Sequence, residues 1–156
     1  MTPGRPIRVL FVCTGNSARS QMAEAVLRRL GGGDFEVFSA GTEPKGVHPL
    51  TIRVLAAIGI DWSDARSKSV AEFLDQHFDH VITVCDSARQ ACPVFPGQHA
   101  SHHWGFEDPV AADGTEDERL AVFRRILGQV SARMRPFIEV ARRSAGVGTR
   151  PSVPKG

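Results

Sequence analysis

The chain has 156 residues, of which 42% are hydrophobic, and a formal net charge of +2. This length predicts one domain that buries about 70% of the surface exposed in the unfolded chain. The near-neutral charge and scattered basic pairs argue against nucleic-acid binding, and no apolar run approaches the length of a membrane span. Residues 1–8 do not resemble a signal peptide. We expect a monomeric, cytoplasmic protein whose three cysteines are reactive thiols rather than permanent disulfides.

Apolar and amphipathic segments alternate along the chain. In chain order, the pattern predicts strand Ile7–Val12, helix Ala18–Leu30, strand Phe35–Ser39, helix Pro49–Ile58, short helix Val70–Asp75, strand His80–Val84, strand Ser101–Trp104 and helix Glu116–Ala141. Such alternation predicts an α/β fold with a four-stranded parallel sheet covered by helices on both faces. Pro136 is a candidate for a kink or break in the last helix. We expect one domain over residues 1–143 and a disordered tail over 144–156.

The most informative segment lies at the first strand-to-helix junction and reads Cys13-Thr14-Gly15-Asn16-Ser17-Ala18-Arg19-Ser20. Backbone N–H groups and the helix dipole favour an anion at such a junction. Gly15 can take the positive φ that the loop needs, and Asn16 tolerates it well. The Arg19 guanidinium matches two oxygens of a tetrahedral oxyanion. Cys13 shares this positive field, which is expected to favour its thiolate. The segment therefore predicts nucleophilic attack on phosphorus or arsenic, whereas a lone cysteine after a strand is usually a small buried hydrophobe.

Two further cysteines follow the third predicted strand. Cys85 ends that strand, so it is expected to share one edge of the parallel sheet with Cys13. If residues 86–91 are helical, Cys85 and Cys92 stand about 10 Å apart. A disulfide needs Cα atoms within about 7 Å, so the pair can close only when this short helix loosens. The pair is either redox-active or two buried structural thiols.

A zinc site is the other interpretation of these cysteines. It is disfavoured because the chain has no second close cysteine pair. His102 and His103 are adjacent on a predicted strand and would therefore point to opposite faces. The six histidines show no ligand spacing, and we expect no bound metal.

A candidate proton donor follows the fourth strand, in the segment His103-Trp104-Gly105-Phe106-Glu107-Asp108-Pro109. A nucleophile that expels an oxygen needs a positioned acid, and a loop carboxyl above the anion site can provide it. Pro109 pushes Asp108 toward extended backbone and stiffens the loop. Glu107 is the rival carboxyl and is expected to be the solvated neighbour.

Together these segments resemble the thioredoxin-coupled arsenate reductases, which are built on the low-molecular-weight tyrosine phosphatase fold, a flavodoxin-like three-layer sandwich. The resemblance covers about residues 7–140 and rests on the segments Cys13–Ser17, Arg19–Glu24, Ser39–Gly41, Val84-Cys85 with Cys92-Pro93, and His103–Pro109. The phosphatases share the first loop and the Asp-Pro pair. They lack the cysteines that match Cys85 and Cys92, and they carry tyrosines near the acid, whereas this chain has no tyrosine.

The resemblance implies the first chemical step. The Cys13 thiolate would attack arsenate held by Arg19 and the amides of residues 14–19, while Asp108 protonates the departing oxygen. Asn16 would hold the shape of the loop, and Ser20 would hydrogen-bond the thiolate.

The resemblance also implies a thiol relay. Cys85 would attack Cys13 and release arsenite, leaving a Cys13–Cys85 disulfide. Cys92 would then take over Cys85, and the Cys85–Cys92 disulfide would be presented to thioredoxin. Thioredoxin is thus the expected external reductant, with glutaredoxin or a small thiol as alternatives, and no cofactor is expected to be bound.

One part of the resemblance departs from the family pattern. Some relatives bind potassium beside the loop through residues matching Asn16, Glu24 and Ser39, together with a polar-acidic pair downstream. In this chain Arg66 and Lys68 occupy the downstream positions, which disfavours a bound cation. We expect the Lys68 ammonium to take the place of the ion. The alternative is that both basic side chains point into water.

Two other functions stay open at this level. A phosphatase for phosphotyrosine or small phosphomonoesters needs the same anion chemistry, with Cys85 and Cys92 incidental. An arsenic- or redox-sensing protein could use the same thiols, but a partner surface or DNA-binding element is not evident. The cysteine pair favours the reductase, with residual phosphatase activity possible.

Overall fold

The computed structural model describes residues 5–146, and its strands and helices alternate as the sequence pattern predicts. The strands are β1 (Ile7–Cys13), β2 (Phe35–Gly41), β3 (His80–Thr83) and β4 (Ala100–His103). The α-helices are α1 (Arg19–Gly31), α2 (Pro49–Ala57), α3 (Asp86–Ala91) and α4 (Glu116–Ser144). All strand pairs are parallel, in the order β2-β1-β3-β4. The predicted fold class is confirmed.

Three sequence-based expectations about elements need correction. The predicted helix Val70–Asp75 is a 3₁₀ turn over Val70–Phe73, and its start is capped by the Ser69 hydroxyl, which accepts a hydrogen bond from the Ala71 N–H. Pro136 lies inside α4 without dividing it. The helix continues because burial of apolar side chains on both sides of the proline offsets the lost backbone hydrogen bond. Ser144 is the last residue of α4 rather than part of a tail, and residues 147–156 of the expected tail lie outside the described residues.

The two faces of the sheet are covered differently. On one face, Phe137 of α4 packs against Trp104, which packs in turn against Phe11 of β1. On the other face, Phe38 of β2 contacts Phe73 and Phe78. The hydrophobic core therefore lies on both sides of β1, whose residues are almost all buried. No helix among residues 5–146 is long and apolar enough to cross a membrane.

The sheet order determines where a ligand can bind. β1 lies between β2 and β3, so the chain leaves β1 toward one side and reaches β3 on the other. Crevices at the carboxyl ends of strands form at such switch points. The register pairs Val12 with Thr83, which places Cys13 and Cys85 at the same edge of the sheet.

Candidate active site

The anion loop joins β1 directly to α1, and one residue in it has an unusual backbone conformation. Asn16 has φ 48°, and no other residue except glycine among residues 5–146 has a positive φ. Of the two residues that the sequence offered for the left-handed position, Asn16 adopts it and Gly15 does not. Asparagine tolerates this conformation because its short side chain can hydrogen-bond locally. The turn brings the Asn16 N–H to 3.1 Å from Cys13 Sγ.

A neighbouring segment, residues 42–48, binds the outer side of this loop through its backbone. It donates N–H groups to loop carbonyls in four bonds: Thr42 to Cys13 (3.0 Å), Glu43 to Thr14 (2.8 Å), Lys45 to Gly15 (2.9 Å) and His48 to Ser17 (3.1 Å). With the carbonyls turned outward, the N–H groups of Gly15, Ser17 and Ala18 have no protein acceptor among the described residues. These donors are what an oxyanion in the loop would bind.

Gly41, at the end of β2, allows this close approach. An added Cβ there would lie 2.5 Å from the Thr14 carbonyl oxygen and 2.9 Å from the Asn16 nitrogen. Both atoms belong to the backbone, so they cannot move aside cheaply. Glycine is required at this position because of the space, not because of its φ.

A directed chain of hydrogen bonds leads to the Cys13 sulfur. The Asn16 amide donates to Ser20 Oγ (2.8 Å) and to Ser39 Oγ (3.0 Å), and Ser39 donates to Glu24 (2.6 Å). Ser20 Oγ therefore has its own proton free for Cys13 Sγ, which lies 2.7 Å away. The amide orientation is fixed because the Lys68 N–H and Gln21 Nε2 both donate to Asn16 Oδ1.

The protonation of Cys13 differs from the sequence-based expectation. Its side chain is buried, and burial raises the pKa of the Cys13 thiol above its ordinary value. Hydrogen bonds from Ser20 and from the Asn16 N–H lower the pKa, but by less than burial raises it. The expectation that the loop favours the thiolate is therefore wrong. The local sequence was compatible with a buried cysteine, but it could not show that the effect of burial on the pKa would exceed that of the hydrogen bonds.

Arg19 and Asp108 meet above the loop. Arg19 donates to the Phe106 carbonyl (3.1 Å), and its guanidinium lies 3.6 Å from Asp108 Oδ2. Asp108 also accepts a hydrogen bond from the Val110 N–H at the start of a 3₁₀ turn over Pro109–Ala111. The carboxyl is therefore fixed from both sides, as the Asp-Pro pair indicated.

Glu107 points away from the loop. Its carboxylate is exposed and lies 2.9 Å from Arg125. The Arg125 guanidinium lowers the pKa of Glu107, so this carboxyl carries a proton less often than an ordinary glutamic acid and is less available as a proton donor.

Cys13, Arg19 and Asp108 line one cavity of about 400 Å³. Its lining comprises the loop, Cys85 and three charged side chains from elsewhere in the chain, Lys45, Asp86 and Asp108. Lys45 was missed by sequence reasoning because its segment shows no motif. Its stem runs beside Gly15, so the cavity has a second basic residue besides Arg19.

The cavity brings two of the three cysteines together and excludes the third. Cys85 is buried, and its sulfur lies 3.4 Å from Thr14 Oγ1. Cys85 and Cys92 flank an intact α3, so about 10 Å of helix separates them, as expected. Cys92 lines a different groove, with Arg89 and His102. All three thiols are free.

Behind the loop, Glu24 is buried among basic side chains. Arg28 lies 2.5 Å from one carboxylate oxygen, and Lys68 Nζ lies 3.7 Å from the other. Burial lowers the pKa of Lys68, while Glu24 raises it by a smaller amount. Arg66, the other candidate, pairs with Glu72 at the surface. The two basic residues thus have different environments.

Two more residues support the loop from this side. Gln21 is buried and donates to the Asn16 carbonyl, and it accepts a hydrogen bond from Trp62 Nε1 (2.8 Å). Sequence reasoning missed both roles, although Gln21 precedes Glu24 by three residues and therefore shares a face of α1 with it.

The histidines lie on both faces of the sheet. His102 faces α4, where its ring packs against Phe137, and His103 faces α3, where it contacts Asp86. The prediction that the two point to opposite faces is confirmed. Within residues 5–146, no group of three His, Cys, Asp or Glu side chains could hold a metal ion.

Comparison with known proteins agrees with this geometry. The family model described as low molecular weight phosphotyrosine protein phosphatase matches residues 8–147. The chain belongs to this family. An arsenate reductase of Halalkalibacterium halodurans is 41% identical over 134 residues, which cover 86% of this chain and 96% of that protein.

Solved structures give the same picture. A structure described as an arsenate reductase in oxidized state has a TM-score of 0.74 and 35% identity, covering 86% of this chain and 98% of its own. A thioredoxin-dependent arsenate reductase of Corynebacterium glutamicum has a TM-score of 0.68 and 29% identity, covering 92% of this chain and 65% of its own.

Proposed function

We propose that this member of the low molecular weight phosphotyrosine protein phosphatase family is an arsenate reductase, which converts arsenate to arsenite in arsenic detoxification. The observation that carries the proposal is the second thiol in the anion cavity. Cys85 lines the same cavity as Cys13, and both thiols are free. Hydrolysis of a phosphate ester needs one nucleophile, whereas a two-electron reduction needs two thiols.

In the first step, the oxyanion binds to the free N–H groups of the loop and to Arg19. Because burial raises the pKa of Cys13, the thiol proton must leave before attack, and a doubly charged arsenate can accept it. The sulfur then forms a bond to arsenic as an As–O bond breaks. Asp108 protonates the departing oxygen, which leaves as water.

In the second step, Cys85 loses its proton and attacks the Cys13 sulfur. A disulfide forms between them as the As–S bond breaks, and its electron pair stays on arsenic. Arsenic(V) thereby becomes arsenic(III), and two thiols are oxidised to one disulfide. Cys92 then attacks Cys85 and releases Cys13 as a thiol, which requires α3 to loosen because the intact helix separates the two residues.

The Cys85–Cys92 disulfide is reduced by an external dithiol protein, for which we propose thioredoxin. The thioredoxin-dependent relative of Corynebacterium glutamicum supports this choice. A cycle that depends on three free thiols needs a reducing compartment, so we place the protein in the cytoplasm. Cys13, Cys85, Arg19 and Asp108 come together within a single chain, and we propose that the monomer is active.

Lys68 is proposed to act as an attached cation that supports the loop. Its ammonium lies beside Glu24, which binds Asn16 through Ser39. We expect no potassium ion beside Glu24, because the ammonium and the Arg28 guanidinium face both carboxylate oxygens and would repel a third cation.

Phosphatase activity is the second candidate, and the family match favours it as a side activity. The loop, Arg19 and Asp108 contain what phosphate ester hydrolysis needs. The groups that bind arsenate would bind phosphate equally well.

The test combines two assays on the same protein. Arsenate-dependent NADPH oxidation with thioredoxin and its reductase reports the relay, and p-nitrophenyl phosphate hydrolysis reports the loop alone. Cys13→Ser should abolish both activities. Cys92→Ala should release one arsenite per enzyme and accumulate the Cys13–Cys85 disulfide in peptide maps. Multiple thioredoxin-driven turnovers in Cys92→Ala would refute the relay, and replacing thioredoxin by glutaredoxin or glutathione tests the reductant.

A further inference from the structure

The His103 side chain contacts the chain on both sides of Cys85. Its Nδ1 lies 2.8 Å from the Thr83 hydroxyl, and its Nε2 lies 2.9 Å from Asp86 Oδ1. Thr83 ends β3 and Asp86 begins α3, so the imidazole contacts the chain two residues before Cys85 and one residue after it. Because a carboxylate can only accept, Nε2 is the donor to Asp86.

The two ends of this bridge differ in rigidity. His103 is paired with Thr83 in the β3–β4 ladder, and the next residue donates its N–H to the Thr83 carbonyl (2.8 Å). The His103 side chain is 24% exposed, whereas that of Asp86 is 88% exposed. The imidazole is therefore a fixed support, and the carboxylate is a contact that water can replace.

The helix that Asp86 begins is short, and Ala88 is its only buried residue. α3 has only six residues, and Cys85 at its N-cap makes no side-chain capping bond. Helices of this length are marginal in water without tertiary contacts. The contact from His103 to Asp86 supplies one at the residue that follows Cys85.

We infer that His103 is a positioning residue of the thiol relay. By holding Asp86, it keeps the first turn of α3 folded and Cys85 inside the anion cavity, where Cys85 can attack Cys13. The exposed carboxylate then releases when α3 loosens for Cys92. This inference rests on the proposed function, since it assigns a role within the same relay.

The expected consequence is selective. Removing the imidazole should slow formation of the Cys13–Cys85 disulfide about fivefold, the size that an exposed charged contact allows. It should leave p-nitrophenyl phosphate hydrolysis unchanged, because that reaction uses the loop and does not use Cys85. A general loss of structure would lower both rates.

The test uses the full chain carrying Cys92→Ala, so that the relay stops at the first disulfide. After mixing with arsenate, alkylation at set times and non-reducing peptide maps give the rate of disulfide formation. His103→Phe and Asp86→Asn should each slow it, and the double variant should be no slower than either single one. His103→Gln keeps an amide donor and should recover part of the rate. Asp75→Asn, an exposed carboxylate outside the cavity lining, is the matched control.

Each outcome points to a different conclusion. An unchanged disulfide rate in His103→Phe, or an equal loss of phosphate ester hydrolysis, would overturn the positioning role. If His103→Phe does not fold, Asp86→Asn is used instead, and it is judged by the rate of disulfide formation relative to that of phosphate ester hydrolysis in the same variant, because Asp86 also lines the anion cavity. Absence of any Cys13–Cys85 disulfide in the Cys92→Ala parent would instead overturn the proposed relay, and this inference with it.

Discussion

Replacing Lys68 by glutamine tests whether its ammonium supports the anion loop as an attached cation. Lys68 Nζ lies 3.7 Å from Glu24 Oε1, and both side chains are largely buried, at 13% and 5% exposure. At an effective dielectric constant of about 20, this distance corresponds to an attraction of about 4.5 kcal/mol. The pKa of Lys68 is nevertheless lowered, because burial lowers this pKa by more than the attraction to Glu24 raises it.

The net effect of the substitution is therefore smaller than the attraction. Removing one partner of a buried ion pair typically destabilises by about 3–5 kcal/mol, because the other charge is left buried and unpaired. Here Arg28 still faces Glu24, and the desolvation of Lys68 is relieved. We expect Lys68→Gln to lower the free energy of unfolding by about 1–2 kcal/mol, or Tm by about 3–6 °C.

The assay is thermal unfolding and arsenate turnover in matched sodium and potassium salts. Wild type should not distinguish the two cations, and Lys68→Gln should lose stability and turnover. Arg66→Gln is the matched control, because it removes the same charge from a surface pair two residues away and should change Tm little. Glu24→Gln combined with Lys68→Gln should recover part of the stability. Specific stabilisation of wild type by potassium would refute the attached-cation role.

Three other substitutions or titrations test the site. Asp108→Asn should slow the chemical step about 10²–10⁴-fold while anion binding persists, and Glu107→Gln should have little effect; the reverse ranking in single-turnover assays would reassign the acid. The thiolate absorbance at 240 nm that Cys13→Ser removes should titrate with a midpoint above about 8.5, because burial raises the pKa of Cys13. A raised pKa in the folded state also means that this thiol's contribution to stability is complete below the unfolded value and is lost as pH rises through the folded one. Gly41→Ala should lower the free energy of unfolding by about 1–3 kcal/mol and slow arsenate turnover. Gly33→Ala, where an added Cβ meets no atom within 4 Å, should change neither the Tm in thermal unfolding nor the turnover rate.

The sequence by itself determined the fold class and the identity of the anion loop. Apolar periodicity is local, so the strands and most helices could be placed within a few residues, and β1 followed by Cys13 and Arg19 defined the loop. The position of Cys85 followed from a topological rule, because parallel strands end at one edge of the sheet. Asp108 was a candidate because the anion loop calls for a proton donor and an Asp-Pro pair follows the fourth strand; the Asp-Pro pair alone would not have marked it.

Only the tertiary structure decided how the loop is supported and charged. The bonds from residues 42–48 are made by backbone groups, so no side-chain pattern marks them. The raised pKa of Cys13 comes from burial, which depends on how the whole sheet packs. Packing also places Lys68 beside the buried Glu24, whereas Arg66 pairs with Glu72 at the surface. It likewise brings His103 into contact with Asp86, 17 residues away in the sequence. These contacts join segments that are distant in the sequence. Local sequence cannot specify them, because they form only when the whole domain packs and its total free energy is lowest.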